Sequence, residues 1–253
     1  MEDIVTRLRA AGCVFAEEEA ELLTGAATSP ADLEEMTGRR VAGEPLEYVI
    51  GRAEFHGISV VLTPGVFIPR RRTEFLADEA IRRCGPGAVV VDLCCGSGAV
   101  AAAIAAMVPL VELHAVDIDP VATRCATQNV PGQVYTGNLF DPLPDALRGR
   151  VDVLVVNPPY VPTTEIPLLP SEAREHEPLV TLDGGGDGLD VLRRIARSAP
   201  RWLAPGGCLL AEISVRQGGR AMAAIADAGM TARLLSDPEL DATVVAGSPH
   251  DAG

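Results

Sequence analysis

The 253-residue sequence has no apolar run of about 18 residues, the length that a membrane-spanning helix needs. It also has few basic residues: 21 Lys and Arg stand against 35 Asp and Glu, and the formal net charge is −14. Such a chain is repelled by phosphate backbones, which disfavours stable binding to nucleic acid. Its first residues, Met1-Glu2-Asp3, lack the basic and apolar regions of a signal peptide. We therefore expect a cytoplasmic protein that binds neither membrane nor nucleic acid.

The sequence contains no Cys-x-x-Cys pair. Its six cysteines are scattered: Cys13, Cys84, Cys94, Cys95, Cys125 and Cys208. Its four histidines are equally dispersed: His56, His114, His176 and His250. Zinc sites need such ligands in close pairs, and disulfides are rare in a reducing compartment. We predict no metal site, and thiols that mostly belong to the core.

The composition is that of a globular protein, with 47% hydrophobic and 22% charged residues. The N-terminal part predicts short helices, one of them with Ser29 as N-cap and Pro30 at its first position. Tyr48-Val49-Ile50 and Ile58–Leu62 read as two strands. We predict a small helical domain at residues 1–43, a linking β-hairpin at 44–72 and a larger domain at 73–253.

Beyond residue 72, short apolar runs alternate with helical patterns. The predicted strands are Ala88–Leu93, Val111–Asp117, Val134-Tyr135, Val151–Val156, Cys208–Ile213 and Thr243–Ala246. The predicted helices are Thr73–Arg83, Ala99–Met107 and Val121–Asn129. This alternation predicts an α/β fold with an open parallel sheet covered on both faces.

Ligands of such sheets bind at the carboxyl ends of the strands. The first strand is followed by the small-residue turn Cys94–Gly98, which lets a ligand approach the backbone; a tight strand-to-helix turn is the alternative interpretation. Asp117 comes about twenty residues later and can accept hydrogen bonds from both hydroxyls of a ribose. The alternative interpretation is a solvated strand-end carboxylate or a cap for the next helix. Because the turn is not Gly-x-Gly-x-x-Gly, a single nucleoside with a small tail is favoured over a dinucleotide.

Asn157-Pro158-Pro159-Tyr160 directly follows the apolar run that ends at Val156. The two prolines end the strand and stiffen the turn, since each fixes φ and lacks an N–H donor. The Asn157 side-chain oxygen and the Pro158 carbonyl remain as acceptors, and Tyr160 adds a flat surface. This arrangement predicts a site for a planar NH2 group, with a purely structural turn as the alternative.

These motifs resemble S-adenosylmethionine-dependent methyltransferases, and within them the release-factor glutamine methyltransferases of the HemK/PrmC type. The resemblance covers nearly the whole chain from Gly43 onward. Besides the turn, Asp117 and Asn157–Tyr160, it includes Gly43-Glu44-Pro45-Leu46-Glu47-Tyr48, Gly51, Glu54-Phe55, Phe67-Ile68-Pro69-Arg70, Thr73-Glu74, Glu177-Pro178, Gly185-Gly186-Asp187-Gly188-Leu189, Glu212-Ile213 and Gln217. The Asn-Pro-Pro-Tyr motif is shared with nucleic-acid amino-methyltransferases, whereas the hairpin block is more specific to the glutamine enzymes.

The resemblance implies a Rossmann-like class I methyltransferase sheet and S-adenosyl-L-methionine as cofactor. The cofactor-binding residues that it implies are Phe67, Arg70, Thr73, Asp92, Cys94, Cys95, Gly96, Ser97, Gly98, Asp117, Ile118, Asn138, Leu139 and Asn157. Residues 94–98 would wrap the methionine part, Asp117 would hold the ribose, and Ile118 and Leu139 would flank the adenine. The implied catalytic residues are Asn157, Pro158, Pro159 and Tyr160.

Several positions depart from the family's pattern, among them Cys94, Asn138 and the run Arg70-Arg71-Arg72. Cys94 stands where the family usually has glycine, and a side chain is accommodated there if φ is negative. Asn138 replaces an acidic residue that accepts from the adenine amine, and we expect its amide oxygen to accept instead. Separately, the long polar segment from Val161 to Gly188 predicts a lid that faces the substrate.

The activity implied is methylation of a glutamine side-chain amide in a protein, that is, a protein-(glutamine-N5) methyltransferase. The implied partner is a peptide chain release factor, modified in its Gly-Gly-Gln loop for translation termination, or a related protein target. Two alternatives stay open at this point: methylation of an exocyclic amine in DNA or RNA, and a non-catalytic S-adenosylmethionine-binding scaffold. A small-molecule amine is a further candidate acceptor.

Overall fold

The computed structural model describes residues 1–249, apart from the side chains of residues 171–173. Residues 250–253 lie outside the described residues; they include His250 and the end of the third predicted region. Four helices begin the chain: α1 (Glu2–Ala10), α2 (Ala16–Ala26), α3 (Pro30–Val41) and α4 (Leu46–Ile50). Their apolar faces pack into one cluster that includes Leu8, Leu23 and Val49. The predicted start of α3 is confirmed, because Ser29 accepts a hydrogen bond from the Asp32 N–H and Pro30 is the first helical residue.

The prediction of a strand at Tyr48-Val49-Ile50 is wrong, because these residues form the end of α4. Gly51 then adopts a left-handed conformation with φ 72° and ends the helix. Burial explains the difference: Val49 packs into the helical cluster, and the Tyr48 hydroxyl donates to the Val66 carbonyl oxygen at 2.7 Å. Tertiary packing here overrides the strand propensity of valine and isoleucine.

The hairpin itself is present, as the antiparallel strands β1 (Arg52–Phe55) and β2 (Ile58–Val61). His56 and Gly57 connect the strands, both with positive φ, as a two-residue hairpin turn requires. The outer edge of β2 is held by Asn129, whose side chain accepts from the Val61 N–H and donates to the Val61 carbonyl. The same Asn129 amide donates to the Ser97 carbonyl at 2.8 Å. The hairpin is thus tied to the turn that follows the first strand of the main sheet.

The rest of the chain alternates strands and helices as predicted. The elements are α5 (Glu74–Ile81), β3 (Val89–Leu93), α6 (Ala99–Met107), β4 (Glu112–Asp117), α7 (Pro120–Ala126), β5 (Gln133–Thr136), β6 (Val151–Val156), α8 (Ser171–His176), α9 (Asp190–Ser198), β7 (Leu203–Glu212), α10 (Gly218–Asp227), β8 (Met230–Asp237) and β9 (Ala242–Pro249). Short 3-10 turns lie at Arg71–Thr73, Asp145–Leu147, Thr163–Leu168, Leu179–Thr181, Ala199–Arg201 and Val215–Gln217. Separate apolar clusters cover the two faces of the sheet.

The main sheet has the order β5-β4-β3-β6-β7-β9-β8. Strands β3 to β7 pair in parallel, whereas β9 is antiparallel to both β7 and β8. The predicted α/β class with a parallel-rich sheet is confirmed. The chain runs from β3 to β4 and β5 on one side and then crosses to β6 on the other. This reversal opens a crevice at the carboxyl ends of β3 and β6.

Several sequence-predicted boundaries differ from the structure. Strand β8 was not predicted, because polar residues such as Arg233 and Ser236 interrupt its apolar pattern on an edge strand. Strand β7 begins at Leu203, ahead of the predicted start at Cys208, and its pairing with β6 is irregular near that beginning. The division of the chain into domains at residues 43/44 and 72/73 stays a prediction.

Candidate functional site

A cavity of about 890 Å³ lies at the carboxyl ends of β3, β4 and β6. It brings together 16 of the 17 residues that the sequence predicted for the site. These are Phe67, Arg70, Thr73, Asp92, Cys94, Cys95, Gly96, Ser97, Asp117, Ile118, Asn138, Leu139, Asn157, Pro158, Pro159 and Tyr160. The remaining one, Gly98, does not line the cavity.

Gly98 instead packs the turn against α7. A Cβ atom at this position would lie 2.5 Å from Val130 Cγ2 and 3.2 Å from Ala126 Cβ. The residue also has φ 78°, which favours glycine, and it forms the N-cap of α6. Its place in the motif therefore follows from close packing and backbone conformation.

The turn after β3 has an unusual backbone at Cys94, which adopts φ 57°. The expectation of a negative φ there is wrong, and Cys94 carries a side chain in the left-handed region that glycine would occupy without strain. Burial raises the pKa of both the Cys94 and the Cys95 thiol. Neutral thiols are poor nucleophiles, so this pair is not set up for covalent catalysis.

Asp117 holds this turn in place and keeps acceptor capacity. Its Oδ2 accepts from the Gly96 N–H and its Oδ1 from the Asp119 N–H, each at 2.9 Å. Each carboxylate oxygen can accept a further hydrogen bond from a ligand. Burial raises the pKa of Asp117 even though these backbone bonds favour the ionised form.

Asp92, at the floor of the cavity, is only 2% exposed. Burial raises its pKa to about 8, and its Oδ2 has no hydrogen-bond partner within residues 1–249. A buried acceptor without a partner is costly, and a cationic or N–H-bearing ligand would satisfy it. Asp92 and Asp117 therefore fit a ligand that carries positive charge and hydroxyl groups.

Another side of the cavity is lined by Ile118, Asn138 and Leu139. Asn138 Oδ1 already accepts from Arg194 Nη2 at 2.8 Å, and Asn138 Nδ2 donates to Asp141 Oδ2 at 3.2 Å. The expected acceptor is therefore shared with an arginine that also lines the cavity. The sequence reasoning missed Arg194, since it lies on α9 without any motif to mark it.

The Asn-Pro-Pro-Tyr segment leaves the end of β6 and faces the cavity. Asn157 Nδ2 lies 3.5 Å from the Thr73 hydroxyl oxygen, and the Tyr160 hydroxyl donates to Glu212 Oε1 at 3.0 Å. Burial raises the pKa of both Tyr160 and Glu212. The Tyr160 carbonyl accepts from Gln217 Nε2 at 2.8 Å. The resemblance included Glu212 and Gln217 but gave neither a role.

The segment predicted as a lid contributes residues to the outer wall of the cavity. Its cavity-lining residues are Val161, Leu169, Pro170, Glu177, Leu179, Val180, Thr181, Leu182 and Asp183. Arg70 forms an ion pair with the buried Glu177, and its guanidinium lies 5.2 Å from the Phe67 ring centroid. The segment is thereby tied to the chain that follows the hairpin.

Two further features of residues 1–249 bear on function. No helix among them is long and apolar enough to cross a membrane. The described side chains also contain no group of three His, Cys, Asp or Glu residues placed to hold a metal ion.

The sequence model of the family described as "Methyltransferase small domain" matches residues 58–168. A release factor glutamine methyltransferase from Geobacter sulfurreducens is 42% identical over 187 residues, covering 72% of this chain and 65% of the relative. One from Moorella thermoacetica is 37% identical over 244 residues and covers 85% of this chain and 84% of the relative. The chain thus spans about two thirds of the length of some of these relatives and more of others.

A relative with a different name is also similar. A 4-amino-L-phenylalanine/4-methylamino-L-phenylalanine methyltransferase from Streptomyces pristinaespiralis is 39% identical over 184 residues, covering 69% of this chain and 62% of the relative. Among solved structures, a methyltransferase from Pyrococcus furiosus superposes with a TM-score of 0.56 at 14% identity, covering 76% of this chain and 88% of that one. This likeness confirms the predicted class I methyltransferase fold. By its similarity to the Moorella relative over most of both chains, the chain belongs to the family of release factor glutamine methyltransferases.

Proposed function

We propose that this chain transfers a methyl group from S-adenosyl-L-methionine to the side-chain amide nitrogen of a glutamine in a peptide chain release factor. The observation that carries the proposal is the Asn157-Pro158 acceptor pair, which lines the same cavity as the buried carboxyl groups of Asp92 and Asp117. A release factor is a cytoplasmic protein, and we place the activity there.

The residues around the cavity fit the cofactor. When bound, S-adenosylmethionine supplies an electrophilic methyl group on a positively charged sulfonium. Asp92 offers a buried acceptor without a partner, suited to the positive charge, and Asp117 keeps free acceptor sites for the ribose hydroxyls. Ile118 and Leu139 offer apolar surface for the adenine.

The acceptor pair addresses the chemical difficulty of the reaction. An amide nitrogen is a weak nucleophile because its lone pair is delocalised into the carbonyl. The Asn157 side-chain oxygen and the Pro158 carbonyl would accept the two N–H hydrogens and hold the nitrogen so that its lone pair points into the cavity. Such orientation can contribute up to about 7–11 kcal/mol to lowering a barrier. The fixed dipoles also stabilise the positive charge that develops on the N–H group.

A second candidate is methylation of a small aromatic amine, favoured by the similarity to the Streptomyces pristinaespiralis relative. An arylamine also presents a planar NH2 group with two hydrogens, so the acceptor pair would suit it. The two functions differ in the size of the substrate, and the exposed Leu168 and Leu179 beside the cavity favour a macromolecule.

The test is mass spectrometry of a purified release factor after incubation with this chain and S-adenosylmethionine. We expect one added methyl group on the glutamine of the Gly-Gly-Gln loop, and none with Asn157→Ala or with a release factor in which that glutamine is replaced. An unmodified release factor, together with methylation of 4-amino-L-phenylalanine, would contradict the proposal and support the second candidate. Methylation of DNA or RNA in a parallel reaction would support the nucleic-acid alternative. Binding of S-adenosylmethionine without transfer to any of these acceptors would support the scaffold.

A further inference from the structure

Arg72 lines the cavity close to the Asn-Pro-Pro-Tyr segment. Its Nε lies 3.8 Å from Glu212 Oε1, and the same oxygen accepts a hydrogen bond from the Tyr160 hydroxyl at 3.0 Å. The next residue in the chain is Thr73, whose hydroxyl oxygen lies 3.5 Å from Asn157 Nδ2. Arg72 is therefore a neighbour of the residues to which the proposed function assigns the methyl acceptor.

The Arg72 guanidinium keeps its hydrogen-bond donors available. The distance of 3.8 Å to Glu212 exceeds that of an N–H···O hydrogen bond, and Arg72 makes no hydrogen bond to any residue in the described part of the chain. Its side chain is 46% exposed, so a ligand can reach it. Arg70 and Arg194 also line the cavity, but each already donates a hydrogen bond to a side chain.

Local stability does not account for a positive charge at this position. Arg72 belongs to the 3-10 turn Arg71–Thr73, which leads directly into α5. The N-terminus of a helix carries partial positive charge, so acidic side chains stabilise it and basic ones destabilise it. An anionic group bound beside Arg72 would offset this positive charge.

The sheet order separates Arg72 from the carboxyl groups that fit the cofactor. Asp92 and Asp117 belong to β3 and β4, whereas Glu212, next to Arg72, ends β7. Strand β6 lies between β3 and β7, and the Asn-Pro-Pro-Tyr segment follows β6. A ligand group that meets Arg72 is thus on the acceptor's side of the cavity.

We propose that Arg72 is a specificity-determining residue that binds a carboxylate of the methyl acceptor, beside the NH2 group held by Asn157 and Pro158. The planar guanidinium matches the two oxygens of a carboxylate, and such charged hydrogen bonds are stronger than neutral ones. The inference rests on the proposed function for the identity of the NH2 group. In a protein acceptor, the carboxylate belongs to an acidic residue near the methylated glutamine.

The test compares two peptides that differ in one carboxylate: N-acetyl-Gly-Gly-Gln with a free C-terminal carboxylate, and the same peptide with a C-terminal amide. Their Kd values are measured by NMR titration in the presence of S-adenosylhomocysteine, so no turnover is needed. We expect the wild-type protein to bind the acid about tenfold more tightly, the effect of one hydrogen bond to a charged group. Arg72→Gln should lose this preference. Arg72→Lys should keep part of it, since the charge remains while the planar geometry is lost.

Arg71→Gln is the matched control. It removes the same charge one position earlier, from an exposed residue that is not among those lining the cavity. We expect this variant to keep the wild-type preference for the acid. An equal loss of preference in Arg71→Gln and Arg72→Gln would show an effect of net charge alone and would overturn the inference.

A second pair of ligands tests whether the carboxylate belongs to the cofactor instead. S-adenosylhomocysteine carries a carboxylate in its amino-acid part, and 5′-methylthioadenosine lacks it. Arg72→Gln should change the Kd of each by less than about twofold. A weaker affinity for S-adenosylhomocysteine alone would assign Arg72 to the cofactor and overturn the inference.

The result is separable from that of the proposed function. A wild-type protein that prefers the acidic peptide but methylates no release factor refutes the proposed function alone. If neither peptide binds, the same comparison is made with 4-amino-L-phenylalanine and its carboxamide, and a preference for the acid that Arg72→Gln loses supports the inference. The absence of such a preference in both pairs overturns it.

Discussion

Arg70 forms an ion pair with Glu177, which lies 107 positions later in the chain. Arg70 follows the hairpin, and Glu177 belongs to the segment after β6. The Glu177 carboxylate is almost fully buried, while the Arg70 side chain is about one third exposed. The same Glu177 oxygen also accepts from the Ile68 N–H at 3.4 Å. This pair ties the segment after β6, which lines the outer wall of the cavity, to the residues that follow the hairpin.

Replacing Arg70 with Gln should loosen the segment after β6. The substitution removes a charged hydrogen bond from the buried Glu177 carboxylate. This loss destabilises the packed position of the segment after β6 by about 1–3 kcal/mol. Backbone amides of residues 179–185 should then exchange hydrogen faster by the corresponding factor. Mass-spectrometric hydrogen exchange measures this, with Arg7→Gln as control, because Arg7 forms an exposed pair with Glu34 and neither residue lines the cavity. Equal protection in Arg70→Gln and wild type would show that the pair does not hold the segment.

Asp92 should make the protein less stable as the pH rises. Its pKa is about 8 in the folded state because it is buried, against about 3.9 in an unfolded chain. Between these values the folded state binds one more proton than the unfolded state. The free energy of unfolding therefore falls by about 1.4 kcal/mol per pH unit on account of this group. The contribution is fully present below pH 4 and is lost as the pH passes through 8.

The check is the free energy of unfolding of the ligand-free protein between pH 5.5 and 8.5, in urea. Asp92→Asn should have a flatter dependence on pH than the wild-type protein. Identical slopes for Asp92→Asn and wild type would show that Asp92 does not hold its proton in the folded state.

Gly98→Ala should destabilise the fold more than Gly87→Ala. Both glycines have φ 78°, so both variants carry the same backbone strain, about 1–2 kcal/mol. An added Cβ at Gly87 meets no atom within 4 Å, whereas at Gly98 it lies 2.5 Å from Val130 Cγ2. Overpacking adds about 1–3 kcal/mol at Gly98 only. Chemical denaturation of the two variants measures the difference, and equal losses would rule out the packing role.

Cys94 should show a reversed preference between glycine and alanine. Alanine is usually the more stable of the two, but at φ 57° a Cβ is strained and glycine is not. We expect Cys94→Gly to be more stable than Cys94→Ala by about 1 kcal/mol. The neighbouring Ser97 does not have a positive φ, so Ser97→Gly should be less stable than Ser97→Ala. The usual order at both positions would contradict the backbone conformation of the turn.

The parts of the site that the sequence could predict are those that follow a buried strand. Asp117 and Asn157 each stand where an apolar run ends, and parallel strands bring such residues to one edge of the sheet. Arg194 was missed because nothing in the sequence around it signals which side chains it meets in space. Glu212 also ends a strand and belongs to the resemblance, yet only the structure reveals its contact with the Tyr160 hydroxyl.

The backbone of the turn was also beyond reach from the sequence. Nothing local to Cys94 signals a positive φ, because the surrounding fold imposes it. The helix at Tyr48–Ile50 was mistaken for a strand for a similar reason, since its burial among the N-terminal helices decides its conformation. Periodicity identifies elements that are buried on one face, and it fails where neighbours far along the chain choose the conformation.

The Asn129 side chain joins the hairpin strand β2 at Val61 to the cavity turn at Ser97 through a single amide group. If a ligand bound at the turn restricts the motion of the Asn129 amide, the hairpin becomes more rigid as well. Ligand binding at the turn and protein binding at the hairpin are then coupled by one free energy. This coupling is reciprocal. A protein bound at the hairpin must raise the affinity for a ligand in the turn by the same factor by which the ligand raises the affinity for the protein. A protein substrate that contacts the hairpin would then bind more strongly when the methyl donor is bound.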